Sequence, residues 1–511
     1  MGLAQRFLRG SVLNLFDQGL RFVAVFIMAP IMIGILGKPD YGFWILLMSI
    51  VGHYSLLDFG LSFSISRFFA KAIGKGDDEE LSKLLSTSFA ILSKIGLFAL
   101  VLTGIGVMIV PLFGLSDERS HLARWIILLY GLFLSAGFPV RVFRSLLKSH
   151  LRYDLLVMAS TIQIVLSNSL IYYFLTNGHG LLTLAIINVS TGFLEYAIVM
   201  FSAWRSKALG EGVRRSAIDP ERRREIVRYS SVSFVNSLGK SLRSRVDPII
   251  IGSVIGDVSV AIYSIGTRFP IYLMDVVGAV LGGQLLAVFS QSQGKTSSAE
   301  ESRSQFTMAT RLSTVIAVFC GSALIFYGYV FLERWVSARM GDDFRISYHI
   351  LAILMVPYIF ALMQYPSLSY LYSLAQHRYL AITGIVGGLA NLVLSLILVH
   401  PFGIYGVVWA TFAEMLVIYL IVYPLLICRV GALDLREFYV RTLGQPLVIS
   451  LLLLAPYYFL VHPLLEPNYP RLILLSVIQF AYFAPLAFFF ILRKSERSLL
   501  LSALRRPREP S

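Results

Sequence analysis

The chain has 511 residues, of which 57% are hydrophobic and 14% charged, with mean hydropathy +0.74 and a formal net charge of +15. A soluble protein carries nearer a quarter charged residues, so this composition excludes a soluble enzyme or a nucleic-acid-binding module and describes a polytopic membrane protein. Much of the positive charge is then topogenic, since loops that stay inside keep their lysines and arginines.

Roughly 20 apolar residues cross a bilayer. Fourteen such runs follow one another, at 11–36, 41–70, 84–113, 122–146, 153–176, 180–203, 229–255, 258–288, 306–332, 346–372, 379–400, 403–427, 439–461 and 470–492. The first follows Arg6 and Arg9 in the manner of a signal peptide, yet it contains Asp17 and Arg21 and no small-x-small cleavage site, so it reads as a retained helix. Of the 44 Lys and Arg, 29 lie in or beside the segments that face inside when the N-terminus is inside, against 7 outside, which predicts that both termini are inside. Cys320 and Cys428 stand far apart within apolar runs and indicate neither a disulfide nor a thiolate metal site.

The two halves repeat. "PIMIGILGKPDYGFW" from Pro30 resembles "PIIIGSVIGDVSVAIY" from Pro248, with Gly34 over Gly252 and, after a one-residue slip, Gly37 over Gly256. Six spans separate the copies, so both cross in the same direction and relate by an axis along the membrane normal. The reading is an all-α architecture of two six-helix bundles plus two C-terminal helices: an N-lobe 1–203, a basic linker 204–228, a C-lobe 229–427, a pair of helices in 428–492 and a basic tail 493–511. Asp219 and Pro220 form a helix N-cap and first position, which predicts that the linker enters helix seven as a surface helix.

Predicted helix seven places Asn236, Lys240, Arg243 and Asp247 on one stripe at i, i+4, i+7 and i+11, with Arg245 well round from it. Arg243 lies roughly 21 Å along this helix, too deep to snorkel easily. Three such cations facing lipid would cost on the order of 8 to 10 kcal/mol, so they are expected to face water, partners or substrate. Predicted helix one repeats the stripe with Asn14, Asp17, Gln18 and Arg21. Arg243 with Asp247, and Asp17 with Arg21, could instead neutralise each other at i, i+4. Pro248 is expected to kink helix seven. Asp58 and Arg67 fall in predicted helix two, Arg268 and Asp275 share a face of helix eight, and Arg311 falls in helix nine. Arg141 and Arg144 read as snorkelling from the inner end of helix four, with a substrate role as the alternative, and Glu195 and Glu414 as lone carboxylates, either proton sites or interhelical hydrogen-bond partners. Excess cations within a bilayer select an anion, above all a phosphate.

The chain has no Walker A motif: "GKS" at 239–241 and "GKT" at 294–296 have Phe234 and Phe289 where the first glycine would stand. Its histidines have no metal-ligand spacing, and no nucleophile stands beside a base. The expectation is a transporter with no cofactor rather than an enzyme.

The segments "LGKPDYGFWILLMSIVGHYSLLDFGLSFSISRFFA" (36–70), "SRVDPIIIGSVIGDVSVAIYSIGTRF" (244–269) and "GIVGGLANLVLSLILVHPFGIYGVVWATFAE" (384–414) resemble the polysaccharide transporter family of the multidrug/oligosaccharidyl-lipid/polysaccharide exporter superfamily. The resemblance implies a bacterial inner-membrane flippase of the Wzx type, which moves an undecaprenyl-diphosphate-linked oligosaccharide to the outer leaflet by alternating access. It implies a cationic central cavity, here Arg21, Arg67, Lys240, Arg243, Arg245 and Arg268 with Asn236, and coupling to an ion gradient, H+ or Na+; Asp17, Asp58, Asp247 and Asp275 are candidate carboxylates for coupling or for ion pairs. Its partners would be the lipid-linked substrate, the bilayer and other polysaccharide assembly proteins. Rivals are a lipid II-type flippase, an ion-coupled multidrug exporter of the same superfamily and a membrane polysaccharide polymerase or ligase.

Overall fold

A computed structural model describes the chain apart from residues 1–2, 207, 209–211, 214–216, 229, 231–245, 295–298, 375, 432, 495 and 499–511. The described residues are helical throughout, and twelve stretches are long and apolar enough to cross a membrane. The first, Val12–Asp58, has 47 residues and so a helical length of about 70 Å, more than twice the ~30 Å hydrocarbon core. It belongs to α1 (Leu3–Gly52), which is broken at Gly37 (φ 78, ψ 166) and so makes two crossings. The described residues thus supply thirteen of the fourteen expected crossings, and most of the remaining run, 229–255, lies outside them.

Gly256, the repeat partner of Gly37, also has positive φ (119°). An L side chain would be strained at both, so the two copies turn between successive helices at the residue type that permits it.

By contacts the chain divides into two compact units, one of residues 1–261 with 384–392 and one of residues 262–383 with 393–511. The first unit contains α1, α2 (Leu61–Lys75), α3 (Asp78–Ile109), α4 (Asp117–Ser149), α5 (Tyr153–Thr176), α6 (Leu181–Arg205), a linker helix α7 (220–228), α8 (Asp247–Val254) and the start of α9 (Asp257–Gly294). Here α4 packs on α2, α3 and α6, and α5 on α1 and α6. Gly96 of α3 sits so close to α4 that a Cβ would come within 2.5 Å of the Ser135 carbonyl oxygen. Membrane helices approach in this way because only packing and hydrogen bonds, not a hydrophobic force, hold them together.

α3 and the short turn after it form a 36-residue stretch about 54 Å long, again longer than the hydrocarbon core is thick. Its later part exposes Leu97, Val101, Met108 and Leu112, the surface expected against lipid. Its earlier turns instead bury Leu81, Leu84, Leu85 and Leu92 against Leu61, Ile65 and Phe69 of α2 and Ile226 of α7. This end of the unit, where the linker helix packs, is its linker face.

The linker cap is formed as its sequence predicts: Asp219 Oδ1 accepts the backbone N–H groups of Glu221 (2.7 Å) and Arg222 (3.3 Å), with Pro220 at the first helical position. The backbone N–H of Asp219 donates to Thr87 Oγ1 (3.0 Å), Ser82 Oγ donates to the carbonyl of Gly212 (3.2 Å), and Arg222 pairs with Glu80 (2.9 Å). The Arg222–Glu225 hydrogen bond (2.6 Å) holds the guanidinium above its usual pKa.

The second unit contains the rest of α9, α10 (Ala299–Met340), α11 (Asp343–Met363), α12 (Tyr365–Ser373), α13 (His377–Phe402) except 384–392, α14 (Ile404–Leu416), α15 (Tyr423–Val430), α16 (Leu435–Glu437), α17 (Gln445–Val461) and α18 (Tyr469–Phe490). Phe289, Phe306, Tyr370 and Phe438 form its aromatic core. α17 and α18 join α10 through hydroxyls: Tyr327 with Tyr457 (3.1 Å), Ser322 with Tyr458 (2.8 Å), and Gln479 donating to Tyr458 (2.8 Å). These bonds border a largely apolar cavity of about 790 Å³ lined by Phe326, Tyr329, Tyr348, Leu454, Tyr458 and His462.

One expectation changes: predicted helix two is interrupted after Asp58, where Phe59 (φ 47) and Gly60 (φ 70) turn the chain left-handed before α2 begins. Pro248 lies in the first turn of α8, and the turn before it, where its kink is expected, lies outside the described residues.

Candidate functional site

The charges of the first unit are organised in pairs. On α1, Arg21 Nε donates to Asp17 Oδ2 at 3.0 Å, and Arg21 Nη2 donates to Ser160 Oγ of α5 at 2.8 Å. Ser160 in turn donates to Asp17 Oδ1, which closes a three-residue ring between the two helices. Asp17 is half-buried and Arg21 more exposed, so the guanidinium remains reachable while its pose is fixed.

Asp58 stands at the break after α1. Its carboxylate accepts from Ser62 Oγ (2.6 Å) and Ser62 N (3.3 Å), capping α2, and from Arg141 Nη1 of α4 (2.7 Å). Arg141 also lies over the Phe138 ring, 4.4 Å from its centroid. One turn further, Arg144 pairs with Glu195 of α6 at 2.8 Å and approaches the Tyr196 ring. Both arginines thus turn into the unit instead of snorkelling, and Glu195 is a partnered carboxylate, not a lone one. Forming the pair removes the penalty that either charge would carry alone in an apolar setting.

Arg67 is placed on α2, at the exposed face that also carries Lys71 and Lys75. The spacing i, i+4, i+8 sets these three cations opposite the buried Ile65, Phe69 and Ala72. Asp247 opens α8 and is 3% exposed. In the second unit, Arg268 is half-buried and Asp275 exposed on α9. Arg311 is buried at 3% exposure and lies 3.7 Å from Glu496, itself 6% exposed. Asn236, Lys240, Arg243 and Arg245, four of the seven predicted cavity residues, lie outside the described residues.

The structure therefore brings together Asp17 with Arg21, and Asp58 with Arg141, which sequence reasoning had not joined. Ser62 and Ser160 are the residues it missed, and for Arg141 it missed the partner. Ser62, at i+4 from Asp58 after a Gly, was readable as a capped helix start; the partners on other helices leave no periodic trace. Among the described residues no three His, Cys, Asp or Glu side chains gather as metal ligands.

Comparison with known proteins places these helices. The membrane protein EpsK of Bacillus subtilis (strain 168), itself uncharacterised, is 24% identical over 496 residues and covers 94% of each chain. The fold is similar to that of the lipid II flippase MurJ in an inward closed conformation, with TM-score 0.72, 14% identity, 98% of this chain and 100% of that one. It is also similar to an inward-facing multidrug resistance transporter of the MATE family, of the MOP superfamily, with TM-score 0.65, 16% identity, 80% of this chain and 98% of that one. The family model of the polysaccharide biosynthesis proteins matches residues 7–293, more than half of the chain, and the protein belongs to that family.

Proposed function

We propose that the protein is a flippase that moves a polyprenyl-diphosphate-linked oligosaccharide across the bacterial inner membrane by alternating access. The observation that carries this reading is coverage. The multidrug structures leave about a sixth to a fifth of this chain unmatched, whereas the lipid-flippase fold matches 98% of it, and the family match adds polysaccharide biosynthesis. A hydrophobic tail that stays in lipid and a diphosphate head that must cross it need cations within the membrane and no catalytic group. Arg21, Arg67, Lys240, Arg243, Arg245 and Arg268 are assigned to the head, with Asn236 beside them. Asp17, Asp58, Asp247 and Asp275 are the carboxylates through which H+ or Na+ would couple. The linker face is the inner one, with both termini inside, which the distribution of Lys and Arg supports.

The test is deletion in the native host followed by mass spectrometry of prenyl-diphosphate lipids. Accumulation of an oligosaccharide-loaded carrier is expected, and an unchanged lipid profile would overturn the reading. Arg243→Glu should reproduce the accumulation in a protein that still inserts and is stable; normal lipids in that variant would remove Arg243 from the head site.

A further inference from the structure

The cavity beside the Tyr458 hydroxyl lies wholly within the second unit, and none of the charged residues assigned above lines it. Two of its walls are helical stripes. On α10, Ser322, Phe326 and Tyr329 recur at i, i+4 and i+7, and on α17, Leu451, Ala455 and Tyr458 do the same. α11 supplies the third wall through Tyr348.

The hydroxyls inside are already used. Ser322 Oγ and Tyr458 OH bond each other, Gln479 donates to the same Tyr458 oxygen, and Tyr348 OH donates to the Ile325 carbonyl (3.1 Å). A buried water needs roughly two to four polar partners, so the interior suits an apolar occupant. At about 790 Å³ the space falls within the roughly 300–1,000 Å³ of ligand pockets, and left empty it would cost its walls their contacts.

Both stripes run into a polar residue at the same end. Four residues beyond Tyr329, α10 carries Glu333; four beyond Tyr458 stands His462, whose ring lies 6.4 Å from that of Phe326. Glu333 is half-buried, and among the described residues its carboxylate has no ion-pair or hydrogen-bond partner. Its neighbour Arg334 lies over the Tyr469 ring instead, 5.8 Å from the centroid, while Asp342 pairs with Arg345 and Glu466 with Arg471. From Ser322 to Glu333 is about 16 Å of helix, and from Leu451 to His462 also about 16 Å, against ~15 Å for one leaflet's share of the hydrocarbon core. The cavity is one leaflet deep.

We propose that it is a binding site for an aminophospholipid of the outer leaflet, separate from the site of the transported head. One acyl chain fills the space between α10, α11 and α17, the ammonium group lies at Glu333 and the Tyr329 ring, and the phosphate lies beside His462. A polyprenyl diphosphate is the wrong partner, because its head is wholly anionic and an unpaired carboxylate at the mouth repels it. Only the outward direction of α10 and α17, the ninth and thirteenth expected crossings, is taken from the flippase reading.

The experiment reconstitutes the full-length protein with phosphatidylethanolamine that carries a photoactivatable diazirine on one acyl chain, and maps the cross-linked peptides. Labelling within 322–330 and 451–462 should exceed that of the exposed α18 residues Ile473 and Val477, and excess unlabelled phosphatidylethanolamine should compete it away whereas polyprenyl monophosphate should not. Ala455→Trp, at an exposed position of the wall, should abolish this labelling and spare that of α18. Glu333→Gln should lower it about two- to fivefold and remove the preference over phosphatidylglycerol. Equal labelling of cavity and α18 in the parent, or full labelling in Ala455→Trp, would overturn the site. Competition by polyprenyl monophosphate alone would overturn the occupant. Failure of the flippase reading would show in the lipid profile of the deletion strain and leave these cross-links as they are.

Discussion

Two ion pairs of the first unit use the same chemistry across different distances in the chain. Asp17 and Arg21 are one helical turn apart, whereas Asp58 and Arg141 are 83 residues apart and belong to different elements. The first pair is satisfied by α1 itself, and α5 adds only a serine; the second joins the broken end of helix two to α4 and caps α2 in the same contact. A charge paired within its own helix can be lent to a ligand at little cost to the fold. A charge paired across helices holds those helices together.

That contrast can be broken experimentally. Arg141→Gln should have the largest effect, lowering stability by about 1–3 kcal/mol because it strands the half-buried Asp58 carboxylate; pairing it with Asp58→Asn, which keeps the cap, should recover part of the loss in thermal melts. Arg144→Gln should cost about 1–2 kcal/mol through the stranded Glu195, with Glu195→Gln again compensating. Arg21→Gln should cost only about 0.3–0.5 kcal/mol in melting, as an exposed i, i+4 pair does, yet lower transport several-fold if Arg21 holds the substrate head. Equal losses of stability in Arg21→Gln and Arg141→Gln would erase the distinction.

The smallest expected effect concerns the linker. His150 follows α4, and burial lowers its pKa from 6.5, opposed by the Ala208 carbonyl and aided by Arg152. Its neutral form is favoured in the folded state, so the stability it contributes is complete above about pH 6.5 and is lost as pH falls through the depressed folded value. His150→Gln should make the melting difference between about pH 7.5 and about pH 5 smaller than in the parent.

Much of this architecture was legible in the sequence, for stated reasons. Hydropathy runs gave the helices, the paired Gly37 and Gly256 gave two chain turns, Asp219–Pro220 gave the linker cap, and i, i+4 spacing gave the Asp17–Arg21 pair. The break in helix two was concealed because Phe59 is apolar and kept the run continuous, although Asp58 and Gly60 around it were turn signals. Arg67 was accordingly read on the same continuous helix as Asp58, whereas it stands on α2, after the left-handed break. Arg141 and Arg144 were misread for a different reason: their partners on other elements obey no local period, and only the packing of α2, α4 and α6 brings Asp58 and Glu195 to them.

The glycine turns at 37 and 256 also serve as a ruler between the two copies, since each can be counted from without any alignment. On that ruler Asp40 and Asp257, both of which lie against Arg119 of α4, are out of step: Asp40 is three residues along and Asp257 one, a displacement of about 3 Å on a helix. The two carboxylates therefore reach the one arginine from unequal positions, and Asp257 is the more deeply buried of them.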